Sequence, residues 1–451
     1  MLNLNLFIYP GGHHEAAWRH PDTSLETVLD VRYTQTLAKQ AEEAKFDAVF
    51  LADGPVLADN IRYAARFRLE PLTTLSAIAA VTERIGLIGT ASTTYTEPYN
   101  LARQFASLDH LSAGRAGWNI VTTGSAAAAG NFGLAEHPDH EDRYGRADEY
   151  LDVVTALWDS WEDEALVADP ASGVFADTDR VHAIDHVGHH FRVAGPLNIP
   201  RSPQGRPVYV QAGSSEQGRG FAAQWAEAVF TAHQTLASAQ EFYADLKRRT
   251  RGFGRNPDHL KVLPGISPVI GSTEAEARAK HAELNELTQP AYGLGLLKNL
   301  LRYDLSEADL DGPLPAEALV EGRAHGFGSR FDLVADIVER ENPTIRQLLH
   351  QLAGARGHFV LAGTPEQVAD HLTKWHQQGA ADGFNVMPPS LPRGFTEFTE
   401  HVLPILRERG LFRTEYEGDT LREHYGLPRP TSQFGPQTLG AENHFTHLES
   451  A

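Results

Sequence analysis

Polar residues gather where apolar, strand-like runs end. Asp53 follows the run 47–52, Ser92, Thr93 and Thr94 follow the run 85–91, and Asn119, Thr122 and Thr123 stand at the end of the run 116–122. A carboxylate, several hydroxyls and an amide on successive strand ends can ring one cavity mouth. They would hold a planar ligand with many hydrogen-bonding edges. Strand ends are also polar simply because they meet solvent, so each of these residues taken singly says little.

A second constellation is Gln211-Ala-Gly-Ser-Ser-Glu-Gln-Gly-Arg-Gly220, a strand end followed by small residues and a helix start. Unpaired amides at a helix N-terminus, with the hydroxyls of Ser214 and Ser215 beside them, suit an anion such as a phosphate group. Arg219 could add a fixed charge. The same pattern is also that of an ordinary serine cap. It is not a Walker loop, because the terminal Gly-Lys-Ser/Thr is missing. His140 and Tyr144 are four residues apart and share a helix face if the helix begins early enough. Beside a phosphate nest they would suit a phosphorylated ligand; otherwise they are surface or capping residues. His13 and His14 follow the first strand and either face a substrate or serve the structure.

His182, His186, His189 and His190 invite a metal reading, as a metal-dependent hydrolase would need. Gly188 and the neighbouring aspartates point to a loop, and no H-E-x-x-H signature accompanies them. The expectation is no metal and a hairpin whose turn and return are residues 187–191.

The elements that would position these groups alternate. Strand-like runs at 4–9, 47–52, 85–91, 116–122, 207–212, 228–232, 260–270 and 383–387 are mostly followed by helical periodicity. The alternation implies a parallel sheet, and eight such units fit its closure as a (β/α)8 TIM barrel, whose chemistry sits at the C-terminal strand tips. The rival open doubly wound sheet calls for G-x-G-x-x-G after the first strand, and Pro10-Gly-Gly-His13 lacks it. Two stretches interrupt the alternation, at about 162–206 and 288–357. The expected organisation is one barrel over 1–425 with those two insertions, and a polar C-terminal tail over 426–451. Arg302, Arg323, Arg330 and Arg346 in the second insertion could pair with a carboxylated substrate, but read first as solvated helix faces.

The bulk numbers bound the partners. With 39 basic and 59 acidic residues, the 451-residue chain carries a net charge of -20. That field opposes binding to nucleic acid or anionic membranes. Cysteine is absent, which excludes disulfides, thiolate catalysis and cysteine-ligated clusters. No long apolar segment or basic leader is present, so a cytoplasmic protein is expected.

Several motifs run in order from end to end: Ala17-Trp-Arg-His-Pro21, Phe46-Asp-Ala-Val-Phe-Leu-Ala-Asp-Gly54, Glu97-Pro-Tyr-Asn-Leu-Ala-Arg103, Ser107-Leu-Asp-His-Leu-Ser-Ala-Gly-Arg-Ala-Gly-Trp-Asn-Ile-Val-Thr122, Arg143-Tyr-Gly-Arg-Ala-Asp-Glu-Tyr150, Gln211-Ala-Gly-Ser-Ser215 and Gly363-Thr-Pro-Glu-Gln-Val-Ala-Asp370. On these the chain resembles the bacterial-luciferase-like flavin monooxygenases. Within them it is similar to the branch of nitrilotriacetate, dibenzothiophene-sulfone and long-chain alkane monooxygenases.

The resemblance implies a barrel that takes FMN in its reduced form, FMNH2, from a separate NAD(P)H:FMN reductase. O2 adds at flavin C4a, and a small organic substrate is oxygenated: an aminopolycarboxylate, or a sulfur or nitrogen compound. A homodimer or homotetramer is implied. Residue by residue, Asp53 and Thr94 match flavin-ring contacts and Asn119 the neighbouring strand tip. His140, Tyr144 and Ser215, with Ser214 adjacent, match the remaining cofactor contacts. His13 falls where sulfone-oxidising members place a pocket histidine. Thr123 stands where some members have serine, a position tied to catalysis. Its extra methyl narrows the pocket and stiffens the rotamer, which argues against sulfone cleavage as the native reaction. A flavin-binding barrel without catalysis is the alternative.

Overall fold

The computed structural model describes residues 1–23, 28–57, 61–65, 67–324, 328–355 and 357–435. Eight parallel strands close on themselves: β1 (Asn3–Phe7), β2 (Ala48–Leu51), β3 (Gly86–Ser92), β4 (Ala116–Val121), β5 (Val208–Gln211), β6 (Ala228–Thr231), β7 (Lys261–Ile270) and β8 (Gly383–Val386). Neighbours pair in chain order, and β8 pairs back onto β1 with Asn5 opposite Asn385. Every expected strand is present. The strands are buried on both faces, which is why they read as near-continuous apolar runs.

Helices cover the outside: α1 (Val31–Glu43), α2 (Pro71–Ala79), α3 (Pro98–Leu111), α4 (His140–Asp159), α5 (Glu216–Trp225), α6 (Leu236–Gly252) and α7 (Glu274–Glu286). α4 starts at His140, four residues before the apolar periodicity, because the Asp139 carboxylate caps it by accepting from the Asp142 amide at 2.8 Å.

The C-terminal extension stoppers the barrel from below. Leu421, Tyr425 and Leu427 pack into the interior cluster with Ile88, Val208 and Ala228. Gly86 and Gly117 make room: a Cβ on either would meet Leu421 at 2.5 or 3.1 Å. The Tyr425 hydroxyl donates to Asn5 Oδ1 at 2.9 Å, and buried Arg422 pairs with Glu227 at 2.5 Å. Among the described residues this end of the barrel is filled, which leaves the C-terminal strand tips as the end for a ligand.

The first insertion holds two hairpins, Leu166–Asp169 with Val174–Ala176 and His186–Val187 with Arg192–Val193. The second is more ordered than its sequence suggests. Four helices, α8 (Pro290–Leu301), α9 (Ala316–Ala324), α10 (Gly328–Glu341) and α11 (Ile345–Ala355), enclose a core of their own that includes Leu297, Leu301, Phe331, Val334, Ile345 and Leu348. The chain re-enters through Phe359–Gly363, a strand the pattern misses. It pairs parallel with the far half of β7, from Ile266 to Ile270. Helix α12 (Pro365–Gln377) then leads to β8. Of the expected tail, 426–435 is described, and its later part lies against the first insertion. Arg429 pairs with Asp163 at 2.6 Å, and Phe434 stacks on His182 at 4.9 Å. Residues 436–451 lie outside the described residues.

Candidate active site

The mouth has an aromatic floor. Phe7, Phe50 and Phe230, from β1, β2 and β6, meet edge to face with centroids 4.7–5.7 Å apart. His358 stacks flat on Phe230 at 4.7 Å and 10°. Gly265 in β7 admits it, since a Cβ there would collide with the His358 ring. Neither the floor nor His358 stood out in the sequence. His358 precedes the strand 359–363, and only the pairing of that strand with the far half of β7 brings it to the mouth.

Around this floor the sequence-expected residues follow the order of the strands. His13, just beyond β1, is 2% exposed, and its Nε2 donates to the Phe7 carbonyl at 2.8 Å. Its ring packs between Phe7 and Tyr9, so it forms wall. Asp53 follows β2. Desolvation raises its carboxyl above the usual carboxylate range, partly offset by the Gly54 amide and Arg68. Thr94 lies beyond β3 and spends its proton on the Thr122 carbonyl at 2.9 Å, leaving its lone pairs for a donor. Asn119 in β4 donates from Nδ2 to Thr90 Oγ1 at 2.8 Å, and its Oδ1 is buried without a protein partner.

Thr123 turns at the tip of β4 with φ +43°. A β-branched residue in the left-handed region is an outlier that persists only where its surroundings hold it. Here Ser92 holds it, accepting the Thr123 hydroxyl at 2.7 Å while also accepting the amides of Thr94 and Tyr95 at 3.2 and 3.3 Å. His137 lies against the Thr123 backbone, and its Nδ1 shares a 2.7 Å hydrogen bond with the Tyr95 hydroxyl. Tyr95 in turn stacks on Phe132 at 4.6 Å. Sequence reasoning missed Tyr95 and His137, because nothing periodic marks the loop that brings them together.

On the outer side of β5 lies the second constellation. Ser215 caps α5, its Oγ accepting from the Gly218 amide at 3.1 Å. Ser214 stands beside it, half-buried. α4 brings its first turn alongside: the His140 and Tyr144 rings are 4.9 Å apart, and Tyr144 meets Phe221 of α5 at 5.8 Å. A Cβ on Gly213 would lie 3.2 Å from the Tyr144 hydroxyl, so the loop and α4 form one cradle. Arg219 is not part of it. Its guanidinium pairs with Asp245 at 3.0 Å.

Other candidates lie elsewhere. Arg323 pairs with Glu339 and Arg346 with Asp311 on exposed surfaces, while the Arg330 side chain lies outside the described residues. The histidine-rich segment folds as the expected hairpin. The Glu149 carboxylate clasps it, accepting from His186 Nε2 and from the amides of His190 and Phe191 at 2.8–2.9 Å. His182 pairs with Glu162. Among the described residues, no group of three or more metal-ligating side chains converges. Nor is any helix among them long and apolar enough to cross a membrane.

A barrel open at one end, with a polar ring above an aromatic floor and a helix-capped cradle at its edge, fits known proteins. Residues 12–382 match the family model of the luciferase-like monooxygenases. The chain belongs to that family. It is 49% identical over 437 residues to N-acetyl-S-(2-succino)cysteine monooxygenase of Bacillus subtilis (strain 168), covering 96% of this chain and 98% of that one. It is 47% identical over 442 residues to nitrilotriacetate monooxygenase component A of Aminobacter aminovorans, covering 95% and 97%. The crystal structure of DmoA from Hyphomicrobium sulfonivorans superposes with a TM-score of 0.84 at 32% identity, covering 94% of this chain and 92% of that one. This luciferase-like monooxygenase is thus an oxidoreductase of the nitrilotriacetate, dibenzothiophene-sulfone and alkane monooxygenase branch, with FMN as cofactor and O2 as co-substrate.

The residues present fit FMN. The buried, unpartnered Asn119 Oδ1 faces the barrel interior from the strand beside Thr90, where a ring N–H can satisfy it. The α5 N-terminus offers amides and serine hydroxyls to a phosphate. Gly213 lets the loop close onto Gln211 and Tyr144, which a Cβ there would prevent.

Proposed function

We propose that this enzyme takes FMNH2 from a separate reductase and uses it with O2 to oxygenate a small polycarboxylated compound bearing a central nitrogen or sulfur. One oxygen atom enters the substrate and the other leaves as water, with the reduced flavin supplying both electrons. The flavin carries the oxygen chemistry; the protein binds it, orients it and keeps water away. In this reading Asp53, Thr94 and Asn119 hold the ring, and Ser214, Ser215, His140 and Tyr144 hold the phosphate end. Thr123 borders the reacting face, with His13 in the substrate wall. A homodimer or homotetramer completes the proposal.

The observation that carries the substrate class is the pair of relatives near half-identity over nearly full length. Their names specify N-acetyl-S-(2-succino)cysteine and nitrilotriacetate, small molecules with several carboxylates around one heteroatom. The name component A supports the two-component arrangement. The test supplies reductase, FMN and NADH to the purified protein and screens polycarboxylated thioethers and amines by mass spectrometry. The expected result is a product gaining one oxygen, or its cleavage fragments, from at least one of them. Turnover of a carboxylate-free sulfide or alkane, with none of the polycarboxylates, would overturn the substrate class.

A further inference from the structure

The last residue of β5, Gln211, is 5% exposed, and its Oε1 is buried with no partner. Register explains where it points. Gln211 stands opposite Ile120 of β4, and Ile120 packs outward in the cluster that includes Ala147, Tyr150 and Leu151 of α4. Gln211 therefore leaves the barrel on the α4 side, beneath the loop that begins at Ala212. Gly213 confirms the placement. A Cβ there would collide with Gln211 Nε2, and would lie 3.1 Å from the Gly218 Cα and 3.2 Å from the Tyr144 hydroxyl. The Gln211 amide is thus wedged between the phosphate-side loop and the first turn of α4.

Its buried orphan is the acceptor Oε1, and a buried acceptor calls for a ligand group that brings a proton. A phosphate dianion brings no proton to a carbonyl oxygen. It is served instead by the donors at the α5 N-terminus. A hydroxyl next to the phosphate does bring a proton. We propose that Gln211 Oε1 accepts a hydrogen bond from a ribityl hydroxyl of the flavin, and so reads the sugar-alcohol chain between ring and phosphate. This rests on the reading that FMN occupies the cradle, and it assigns to Gln211 a contact separate from those of Ser214 and Ser215.

The experiment titrates the full-length protein anaerobically with FMNH2 and, separately, with reduced riboflavin, following tryptophan fluorescence. Gln211→Leu removes the acceptor. It should weaken both ligands by a similar factor, about five- to tenfold, as expected for one lost hydrogen bond. Gln211→Glu keeps an acceptor in place and should hold riboflavin affinity within about twofold. A loss confined to FMNH2 in the Leu variant would overturn the proposal, because the side chain would then donate to phosphate. So would unchanged affinity for both ligands. Should the Leu variant not fold, a tenfold loss of riboflavin affinity in the Glu variant overturns it equally. Failure of the unsubstituted protein to bind either reduced flavin would instead count against the cofactor reading.

Discussion

Replacing Thr123 separates the turn from the hydroxyl. Its φ of +43° places a β-branched residue in the left-handed region, at a cost of about 1–2 kcal/mol. The 2.7 Å bond from its hydroxyl to Ser92 returns about 1 kcal/mol. Thr123→Ala keeps most of the strain and loses the bond, so it should destabilise by about 1 kcal/mol. Thr123→Gly also loses the bond, and adds about 0.5–1 kcal/mol of unfolded-chain entropy, but relieves the strain. It should end about 0.5–1 kcal/mol above the alanine variant and near the parent. Thr123→Ser keeps the bond with less crowding and should match or exceed the parent. Urea unfolding of the four proteins measures the order directly. The same proteins assayed with a reductase and FMN give the ratio of hydrogen peroxide to oxygen consumed. If the hydroxyl serves the reacting face, Gly and Ala should release more peroxide than Thr and Ser alike, whatever their stability. An alanine variant as stable as the parent, or a glycine variant less stable than alanine, would refute the reasoning.

Three other outcomes are expected. Ser215→Asp sets a carboxylate beside the phosphate end of the cradle while still capping α5, so the fold should hold and reduced-FMN affinity should fall at least tenfold in anaerobic titration; unchanged affinity would remove the phosphate from this loop. Glu149→Ala strips the half-buried amides of His190 and Phe191 of their acceptor and should cost about 1–2 kcal/mol in urea unfolding, with faster proteolysis near 186–193; equal stability would mean the clasp is dispensable. His14 is 2% exposed, and burial lowers its pKa to about 4. Above pH 6.5 it is neutral in both states and contributes no pH dependence. As pH falls from 6.5 towards 4 the unfolded chain takes the proton first, so stability should drop by about 2–3 kcal/mol. His14→Gln should flatten that part of the pH–stability curve, and an unaltered slope would show that other groups govern it.

The barrel was legible because each of its strands is a short apolar run buried on both faces and bounded by glycine, proline or polar residues. The candidate site was legible where it sits at the strand ends: Asp53, Thr94 and Thr123 lie just beyond a strand, and Asn119 lies in the second half of β4. The helical insertion was not. Its helices bury only one face each and share their core with one another, so Phe331 and Leu348 find their partners only after the chain has folded back. The strand 359–363 was hidden for a similar reason, being half-buried and paired with the outer half of an unusually long β7. His137, Tyr95 and Gln211 owe their positions to loops and to strand register. Spacing along the chain records neither.

The most direct test of the account is a single turnover. Apo-protein loaded anaerobically with one equivalent of FMNH2 is mixed with 18O2 and a polycarboxylated amine or thioether, and the products are analysed by mass spectrometry. One labelled oxygen is expected in the organic product for each flavin oxidised, with the second in water. Reduced flavin that fails to bind, or label recovered only as hydrogen peroxide across the polycarboxylate series, would contradict it.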